Sequence, residues 1–257
     1  MAHEMIDCKP FTRKEKVLPY HAMAAIYDQI MDHVDYRMWA NYISSLFRQF
    51  GNHVTHIVEG GCGTGRFAAE MVQLGYHIVG FDLSLPMIRE AGKATDIPLW
   101  QGDLRYHGLS GKWDTFLCLY DTIQYLSLGE INKLLINVHQ ILSRDGLFIF
   151  DVVTESSVKK YWYNFTEKCP SKSGESIRRS WYDRKKRCLN TEFDIYFRKD
   201  KKKYHESHCQ YVYSVNEIKE VVRSSGFKLL GWFHDFTLQQ GNSKSDRVHF
   251  VLQQEAS

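Results

Sequence analysis

Three acidic residues and a glycine-rich loop are spaced as a nucleoside-binding site would require. Glu59 precedes the loop, whereas Asp82 and Asp103 follow two later apolar runs. The loop contains Gly61, Gly63 and Gly65. Because glycine has no Cβ, such a loop can turn with positive φ and let a ligand approach the backbone closely. An acid beside that loop favours a ligand that carries positive charge.

The loop lies between a predicted strand and a predicted helix. Residues 56–60 are a short β-branched run, and residues 66–74 repeat apolar side chains at helical spacing. The pattern therefore predicts a strand, a tight turn and a helix, which is the usual setting of a nucleotide-binding loop.

A dinucleotide is the first alternative for the ligand. Its fingerprint, G-x-G-x-x-G, would place the third glycine where this chain has Arg66. Glu59 is also unexpected beside a pyrophosphate, which a helix N-terminus otherwise favours. These two departures disfavour a dinucleotide only weakly on their own.

Alternating units follow the loop. Strands are predicted over residues 76–82, 97–101, 113–120 and 146–153, with helices over 86–93 and 130–142. This alternation predicts a parallel α/β sheet with right-handed crossovers. Since ligands bind at the carboxyl ends of such strands, Glu59, Asp82 and Asp103 should lie together.

The two ends of the chain differ from this pattern. Residues 1–17 are polar and predict a mobile arm, and residues 22–50 are helical with a break near residue 35. Period-two alternation over residues 155–213 predicts an antiparallel meander, inserted as a cap. A helix and a closing hairpin follow. We expect one main domain, formed by residues 18–154 and 214–257, with an N-terminal helical lid and a cap of residues 155–213.

Composition limits the class of protein. The chain has 257 residues, 44% of them hydrophobic and 25% charged, with a net charge of +3. These values disfavour disorder, and no run is long enough for a membrane span or a secretory signal. The six cysteines are scattered without metal-ligand spacing, so we expect no metal, free thiols and a cytoplasmic location.

Three motifs carry a family resemblance. Residues 59–65, 80–87 and 101–104 resemble the first three motifs of class I, Rossmann-like S-adenosylmethionine-dependent methyltransferases. The resemblance implies a doubly wound α/β fold: a mostly parallel seven-stranded sheet with an antiparallel final strand, plus a small antiparallel β cap inserted after strand five.

The resemblance also implies S-adenosyl-L-methionine as cofactor and S-adenosyl-L-homocysteine as product. In the family, the first acid and the glycine loop hold methionine and ribose, the acid at Asp82 accepts the ribose hydroxyls, and Leu83 and Met87 pack on adenine. Asp103 and the Leu104 amide contact the adenine amino group. The cofactor-binding residues expected here are Tyr27, Tyr36, Trp39, Glu59, Gly60, Gly61, Gly63, Gly65, Asp82, Leu83, Met87, Asp103, Leu104 and Leu119.

The flanking residues resemble the small-molecule branch of the family, which includes glycine N-methyltransferase-like and amino-sugar N,N-dimethyltransferase-like enzymes. The resemblance lies in residues 27–39 and 118–126. Gln124 stands where that branch has Asn, and Glu59 where it has Asp. A small-molecule acceptor with a nitrogen or oxygen nucleophile is therefore expected, and the change at Gln124 affects the expected substrate pocket.

Methyl transfer from a sulfonium is an in-line displacement, so alignment of the reactants is the main task. A base can assist removal of the proton of the nucleophile. Asp121, at the end of the fourth strand, is the first candidate, followed by Tyr27 and by His234 near the end of the sixth strand. Residues expected to contact the substrate are Tyr20, Tyr120, Tyr125 and Arg247.

Two alternatives belong to other classes. An RNA, tRNA or protein methyltransferase is suggested by basic residues at 184–187 and 198–203. These runs occupy two turns at opposite ends of one strand, roughly 30 Å apart at ~3.3 Å per residue, so nucleic acid is disfavoured as a partner. A non-catalytic cofactor-binding protein would keep the same glycines and acids. No membrane partner is expected. The motifs do not determine the oligomeric state, and they are compatible with a homodimer.

Overall fold

The computed structural model describes residues 14–51 and 53–255. Within them the strands, in chain order, are β1 (Glu15–Val17), β2 (His56–Gly60), β3 (His77–Asp82), β4 (Leu99–Gln101), β5 (Trp113–Cys118), β6 (Leu142–Val153), β7 (Phe165–Pro170), β8 (Gly174–Asp183), β9 (Cys188–Phe197), β10 (Lys203–Tyr211), β11 (Phe227–His234) and β12 (Arg247–Gln254).

The helices are α1 (Tyr27–Ile30), α2 (Tyr36–Phe50), α3 (Arg66–Gln73), α4 (Leu85–Ala94), α5 (Leu128–Ile141), α6 (Glu155–Tyr161) and α7 (Val215–Arg223). Short 3-10 turns occupy Met23–Ile26, Leu104–Tyr106 and Thr122–Tyr125. The predicted break near residue 35 is confirmed, because Asp35 caps α2 by accepting a hydrogen bond from the Met38 amide.

The main sheet has seven strands in the order β11-β12-β6-β5-β2-β3-β4. Strands β2 to β6 pair in parallel, and β12 runs antiparallel to both β6 and β11. The predicted fold, a mostly parallel seven-stranded sheet with an antiparallel final strand, is confirmed. The order reverses at β2, so the carboxyl ends of β2 and β5 form the crevice in which such folds bind ligands.

Aromatic side chains fill the core on one face of this sheet. Phe116, Phe148, Phe150 and Phe250 are fully buried and pack with α5 and α7. Helices α2 and α3 cover the other face. Burial of each such ring stabilises the fold by about 1.5–3 kcal/mol, which keeps the strand ends of the ligand crevice rigid.

A second sheet of five strands, in the order β1-β10-β9-β8-β7, forms the cap. The predicted antiparallel meander is present as β8, β9 and β10, whereas the sequence pattern missed α6 and β7. Both are short and largely polar, so neither has a strong apolar period.

The N-terminal arm predicted over residues 1–17 is described from residue 14 onward. Residues 1–13 lie outside the described residues, but Glu15–Val17 pairs in parallel with β10. Lys14 forms an ion pair with the buried carboxylate of Asp194, and Glu206 of β10 accepts hydrogen bonds from the backbone amides of Ala22 and Met23. These contacts attach the N-terminal segment to the cap.

The expectation that all cysteines are free thiols is wrong for one pair. Cys188 of β9 and Cys209 of β10 form a disulfide, because antiparallel pairing brings their Cα atoms to 6.0 Å. Cys62, Cys118 and Cys169 are free, and Cys8 lies outside the described residues. No helix within residues 14–51 and 53–255 is long and apolar enough to cross a membrane.

Candidate active site

A cavity of about 760 Å³ lies between the strand ends of the main sheet, the N-terminal segment and the cap. Most predicted site residues line it. They are Tyr20, Tyr27, Tyr36, Trp39, Glu59, Gly61, Gly63, Asp82, Leu83, Met87, Asp103, Leu104, Leu119, Tyr120, Asp121, Tyr125 and Arg247. The topology thus brings together residues that are up to 227 positions apart in the chain.

Gly60 and Gly65 do not line this cavity. A Cβ on Gly60 would meet the side chains of Leu104 and Phe81, and one on Gly65 would meet Ala91 of α4. Both glycines, which were expected to bind the cofactor, therefore permit close internal packing. Gly65 has φ +74, so it also supplies the left-handed turn before α3.

Gly63 occupies the part of the loop that faces open space. A Cβ added there would meet no atom within 4 Å, and its φ is +55. Its amide donates to Asp82 Oδ2 at 3.0 Å, and the Ser84 amide donates to Asp82 Oδ1 at 2.8 Å. The loop after β2 and the end of β3 are thereby fixed together, with backbone exposed toward the cavity.

Glu59 is a buried acid without a counter-charge. Only 4% of the residue is exposed, and its Oε2 atom has no hydrogen-bond partner among the described residues. Burial, and then the nearby charge of Asp82, raise its pKa well above the usual value. An unpaired carboxylate in a cavity wall is costly, so a cationic ligand group would fit here.

Asp103 lies at the far side of the same crevice. Its carboxylate accepts hydrogen bonds from the guanidinium and the amide of Arg105, and the Arg105 contact lowers its pKa. Arg105 also pairs with Glu130. A carboxylate can accept about four hydrogen bonds, and the bonds from Arg105 to both Asp103 oxygens use this capacity, so a ligand donor would have to replace one of them.

An ionic cluster supports the loop after β5. Arg247 donates to Asp121 Oδ1 at 2.9 Å and also to the fully buried Asp151. Asp151 accepts from the backbone amides of Tyr120 and Asp121, both of which have positive φ. Arg247 was expected to contact substrate; its charge is instead used by two carboxylates of the protein. The cluster holds a strained backbone in place.

The carboxylate of Asp121 faces the cavity from this loop. Burial raises its pKa, and the charge of Arg247 opposes that shift. Gln210 of β10 donates to Asp121 Oδ2 at 2.6 Å. Each carboxylate oxygen therefore has one partner and one remaining acceptor site, so Asp121 can still orient a donor group in the cavity.

Three rings form a hydrogen-bonded chain under the cap. The hydroxyls of Tyr20 and Tyr125 lie 2.8 Å apart, and the Tyr125 hydroxyl lies 2.9 Å from His208 Nδ1. His208 Nε2 is 3.5 Å from the buried carboxylate of Glu206. Burial raises the pKa of both tyrosines, so their hydroxyls stay neutral and act as hydrogen-bonding groups.

Tyr27 and the surrounding segment close the cavity on the N-terminal side. The Tyr20 and Tyr27 rings meet edge to face at 6.0 Å, and burial raises the pKa of Tyr27 well above its usual value. Asp28 accepts from the Thr64 hydroxyl at 2.6 Å, which joins this segment to the glycine loop. Tyr27 can therefore contact a ligand and exclude water, and it is a poor base.

His234, which was predicted as a catalytic residue, is not among the residues that line the cavity. It ends β11, the edge strand, and β12 and β6 separate that strand from β5. Its Nε2 lies 3.2 Å from Asp235 Oδ2.

Gln124, which was expected to affect the substrate pocket, is fully buried outside the cavity lining. It accepts from the amide of Val153 and donates to the carbonyl of Tyr211. It therefore links the main sheet to the end of the cap.

Several cavity residues were missed by the sequence reasoning. They are Trp162, Arg178, Thr191, Phe193, His208 and Gln210, all in the cap or beside it. Alternation along the strands of a meander shows which side chains share a face of the sheet, but it does not show which face packs against the main domain. Asp151 had a clearer signal: an acid within the apolar run of β6 has to find a buried partner.

Comparison with known proteins agrees with this geometry. A family model described as a methyltransferase domain matches residues 57–146, from β2 to the middle of β6. A curated protein of Geobacillus sp. (strain WCH70), named as a methyltransferase, is 27% identical over 248 residues, which cover 91% of this chain and 99% of that protein.

Solved structures share the complete architecture. A S-adenosylmethionine-dependent methyltransferase from Clostridium acetobutylicum ATCC 824 has a TM-score of 0.78 at 18% identity, covering 91% of this chain and 98% of its own. The sugar N-methyltransferase KedS8 from Streptoalloteichus sp ATCC 53650 has a TM-score of 0.72 at 16% identity, covering 100% and 99%. At these identities the likeness shows the fold.

Proposed function

Since the chain is a class I S-adenosylmethionine-dependent methyltransferase, we propose that it methylates a nitrogen or oxygen atom of a small molecule. The observation that carries this proposal is the roofed cavity. The cap and the N-terminal segment cover the strand ends, and Tyr20, Tyr125 and Asp121 line the space between them. The likeness to a sugar N-methyltransferase is consistent with a small acceptor.

The cofactor would be held by the crevice at the ends of β2, β3 and β4. Glu59, with its unpartnered Oε2, suits the positively charged methionine end, and the open loop at Gly63 leaves room for it. Asp82 has remaining acceptor capacity for the ribose hydroxyls. Met87 and Leu104 line the place proposed for adenine.

S-Adenosylmethionine supplies an electrophilic methyl group on a sulfonium. When the methyl group is transferred, the sulfonium becomes a neutral thioether. The protein therefore has to align the nucleophile, and alignment can be worth roughly 7–11 kcal/mol. We assign this role to Asp121, which accepts a hydrogen bond from the N–H or O–H of the acceptor. Its raised pKa makes it a better proton acceptor than an ordinary carboxylate.

Tyrosine side chains would complete the site. Tyr20 and Tyr125 present neutral hydroxyls, while the rings of Tyr27 and Tyr120 exclude water from the reacting atoms. Water exclusion matters because a hydrated amine or hydroxyl is a weaker nucleophile.

A nucleic-acid acceptor has less support. The basic residues 184–187 and 198–203 lie in turns at the two ends of β9, and Arg187 is paired with Glu217 at 2.6 Å. Because the two turns lie at opposite ends of β9, their basic residues do not form the continuous positive surface that phosphate recognition needs.

The experiment is release of S-adenosylhomocysteine from purified protein incubated with panels of small amines, alcohols and amino sugars. Turnover above the acceptor-free rate supports the proposal. Asp82→Ala should lose cofactor binding by calorimetry, and Asp96→Ala, an exposed acid of the same region, should keep it. A parallel arm measures RNA binding and methylation at physiological salt. Methylation of RNA alone, or cofactor binding without any turnover, would contradict the proposal.

A further inference from the structure

Arg178 is a cation on the inner face of the cap. It lies in the middle of β8, opposite Glu167 of β7 and Phe193 of β9, and it lines the cavity. Its guanidinium stacks 4.0 Å from the ring of Trp162. The side chain is therefore held against an aromatic ring in the wall of the cavity.

Arg178 has no anionic partner among residues 14–51 and 53–255. Its Nε atom is buried without a hydrogen-bond partner, and no carboxylate of these residues forms an ion pair with it. Glu167, the cross-strand neighbour, is exposed and influences Arg178 only through its charge. Burial lowers the pKa of Arg178 accordingly.

Two other arginines that line the cavity are paired with carboxylates of the protein. Arg247 is bound by Asp121 and Asp151, and Arg105 by Asp103 and Glu130. Arg178 differs from both because no carboxylate of the described residues pairs with it, and its Nε atom is buried without a partner. An uncompensated guanidinium costs free energy unless a ligand supplies the missing charge.

The shape of the group indicates which ligand would supply it. A guanidinium presents its donors as a planar fork, which matches the paired oxygens of a carboxylate or a phosphate. Asp121 and Tyr20 line the same cavity as Arg178, so all three border one space. Thr191 of β9 adds a hydroxyl on the same cap face.

We propose that Arg178 binds an anionic group of the methyl acceptor, a carboxylate or a phosphate, and thereby directs the nucleophile of that acceptor toward Asp121. The acceptor is then an amine or alcohol with an acid group at its other end. This inference rests on the proposed function and narrows its substrate class.

The first test uses matched probes. Amino carboxylates and amino phosphates are each paired with the neutral amide or alcohol of the same size, and binding to the protein loaded with S-adenosylhomocysteine is measured by calorimetry. Anionic members should bind at least about 10-fold more tightly than their neutral partners, as expected for charge-assisted bidentate hydrogen bonds. The two anion types are scored separately, which identifies the preferred group.

The second test uses variants. Arg178→Met keeps an unbranched side chain against Trp162, and it should remove the preference for anions while cofactor affinity stays unchanged. Arg178→Lys keeps the charge without the fork and should retain part of the preference. Arg184→Met, on an exposed arginine of the same cap, should behave as wild type. Circular dichroism checks that each variant folds. If Arg178→Met does not fold, the anion preferences of the wild-type protein and of Arg178→Lys test the role of Arg178.

The outcomes separate the two proposals. Equal binding of anionic and neutral probes, or an anion preference that survives in Arg178→Met, overturns the role of Arg178. Turnover of neutral amines alone overturns it too but leaves the proposed function standing. Anion binding that depends on Arg178, with no release of S-adenosylhomocysteine from any probe, supports the anion site and contradicts the proposed function.

Discussion

The side chain of Gln210 donates a hydrogen bond of 2.6 Å to the carboxylate of Asp121. Gln210 belongs to cap strand β10, whereas Asp121 follows β5 of the main sheet. The orientation of the proposed catalytic carboxylate therefore depends on where the cap sits.

Gln210→Leu should weaken catalysis without affecting cofactor binding. Loss of a hydrogen bond to a charged group costs about 1.5–3 kcal/mol, so kcat/KM for the acceptor should fall roughly 10- to 100-fold. Release of S-adenosylhomocysteine measures kcat/KM, and calorimetry measures the cofactor Kd. Gln239→Leu, at an exposed position, is the control. An unchanged kcat/KM would show that Asp121 is oriented by Arg247 alone.

The two glycines at positions 63 and 65 should respond differently to alanine. Gly65→Ala places a Cβ 3.1 Å from Ala91 Cβ and at φ +74, so we expect a loss of stability of about 1–3 kcal/mol. Gly63→Ala meets no protein atom and should cost only about 1 kcal/mol of backbone strain, yet it should weaken cofactor binding at least 10-fold because its Cβ enters the proposed cofactor space. Thermal unfolding and calorimetry, run on both variants, separate the two effects. Equal cofactor affinity in Gly63→Ala and wild type would remove that loop segment from the cofactor site.

Glu59 should couple cofactor binding to pH. In the protein without ligand, the pKa of Glu59 is raised. The contribution of Glu59 to folding stability is therefore complete below the usual pKa of 4.5, and it is lost as the pH rises through the raised value. A cationic ligand favours the ionised form and lowers that pKa again. Binding should therefore release protons, and affinity should decrease as the pH falls.

Calorimetry in two buffers with different ionisation enthalpies counts the protons released on cofactor binding. Glu59→Gln should release fewer protons and bind more weakly. Glu70→Gln, with an acid of α3 outside the cavity lining, should match wild type. The same proton count in Glu59→Gln and wild type would assign the linkage to another group.

Arg247→Met should be one of the more destabilising changes in the protein. It leaves Asp121 and the fully buried Asp151 without their shared cation, and loss of one partner of a buried ion pair costs about 3–5 kcal/mol. Denaturant unfolding measures the free energy. Arg144→Met, whose side chain is 82% exposed, should change stability by less than about 0.5 kcal/mol. Adding Asp151→Asn to Arg247→Met should recover part of the lost unfolding free energy, because it removes one unpaired buried carboxylate. If it does not, the destabilisation comes from the unpaired carboxylate of Asp121.

The main sheet and its acidic strand ends were predictable because they depend on local patterns. Apolar runs fixed the strands, and parallel topology then placed Glu59, Asp82 and Asp103 together. The cap residues that line the cavity could not be predicted from local patterns. Arg178 and His208 are single polar residues in an alternating meander, and only the docking of the cap decides that they face the cavity.

The positions of His234 and of one cysteine pair depend on the same kind of long-range information. His234 was placed at a strand end, which is correct, but the position of that strand at the sheet edge depends on long-range pairing. Cys188 and Cys209 are separated by 21 residues, and their meeting follows from the register between β9 and β10, which spacing alone does not give.

The carboxylate of Glu206 has a consequence for how ligands enter and leave. It accepts hydrogen bonds from the backbone amides of Tyr20, Ala22 and Met23, so the N-terminal segment is bound to cap strand β10 by buried charge-assisted contacts. The same segment is joined to the main domain by hydrogen bonds from Ser84 to the Tyr20 carbonyl, from Thr64 to Asp28 and between the hydroxyls of Tyr20 and Tyr125. A movement that lifts the cap would therefore carry the N-terminal segment with it, and it would have to break these bonds together with those from Gln210 to Asp121 and from Gln124 to Tyr211.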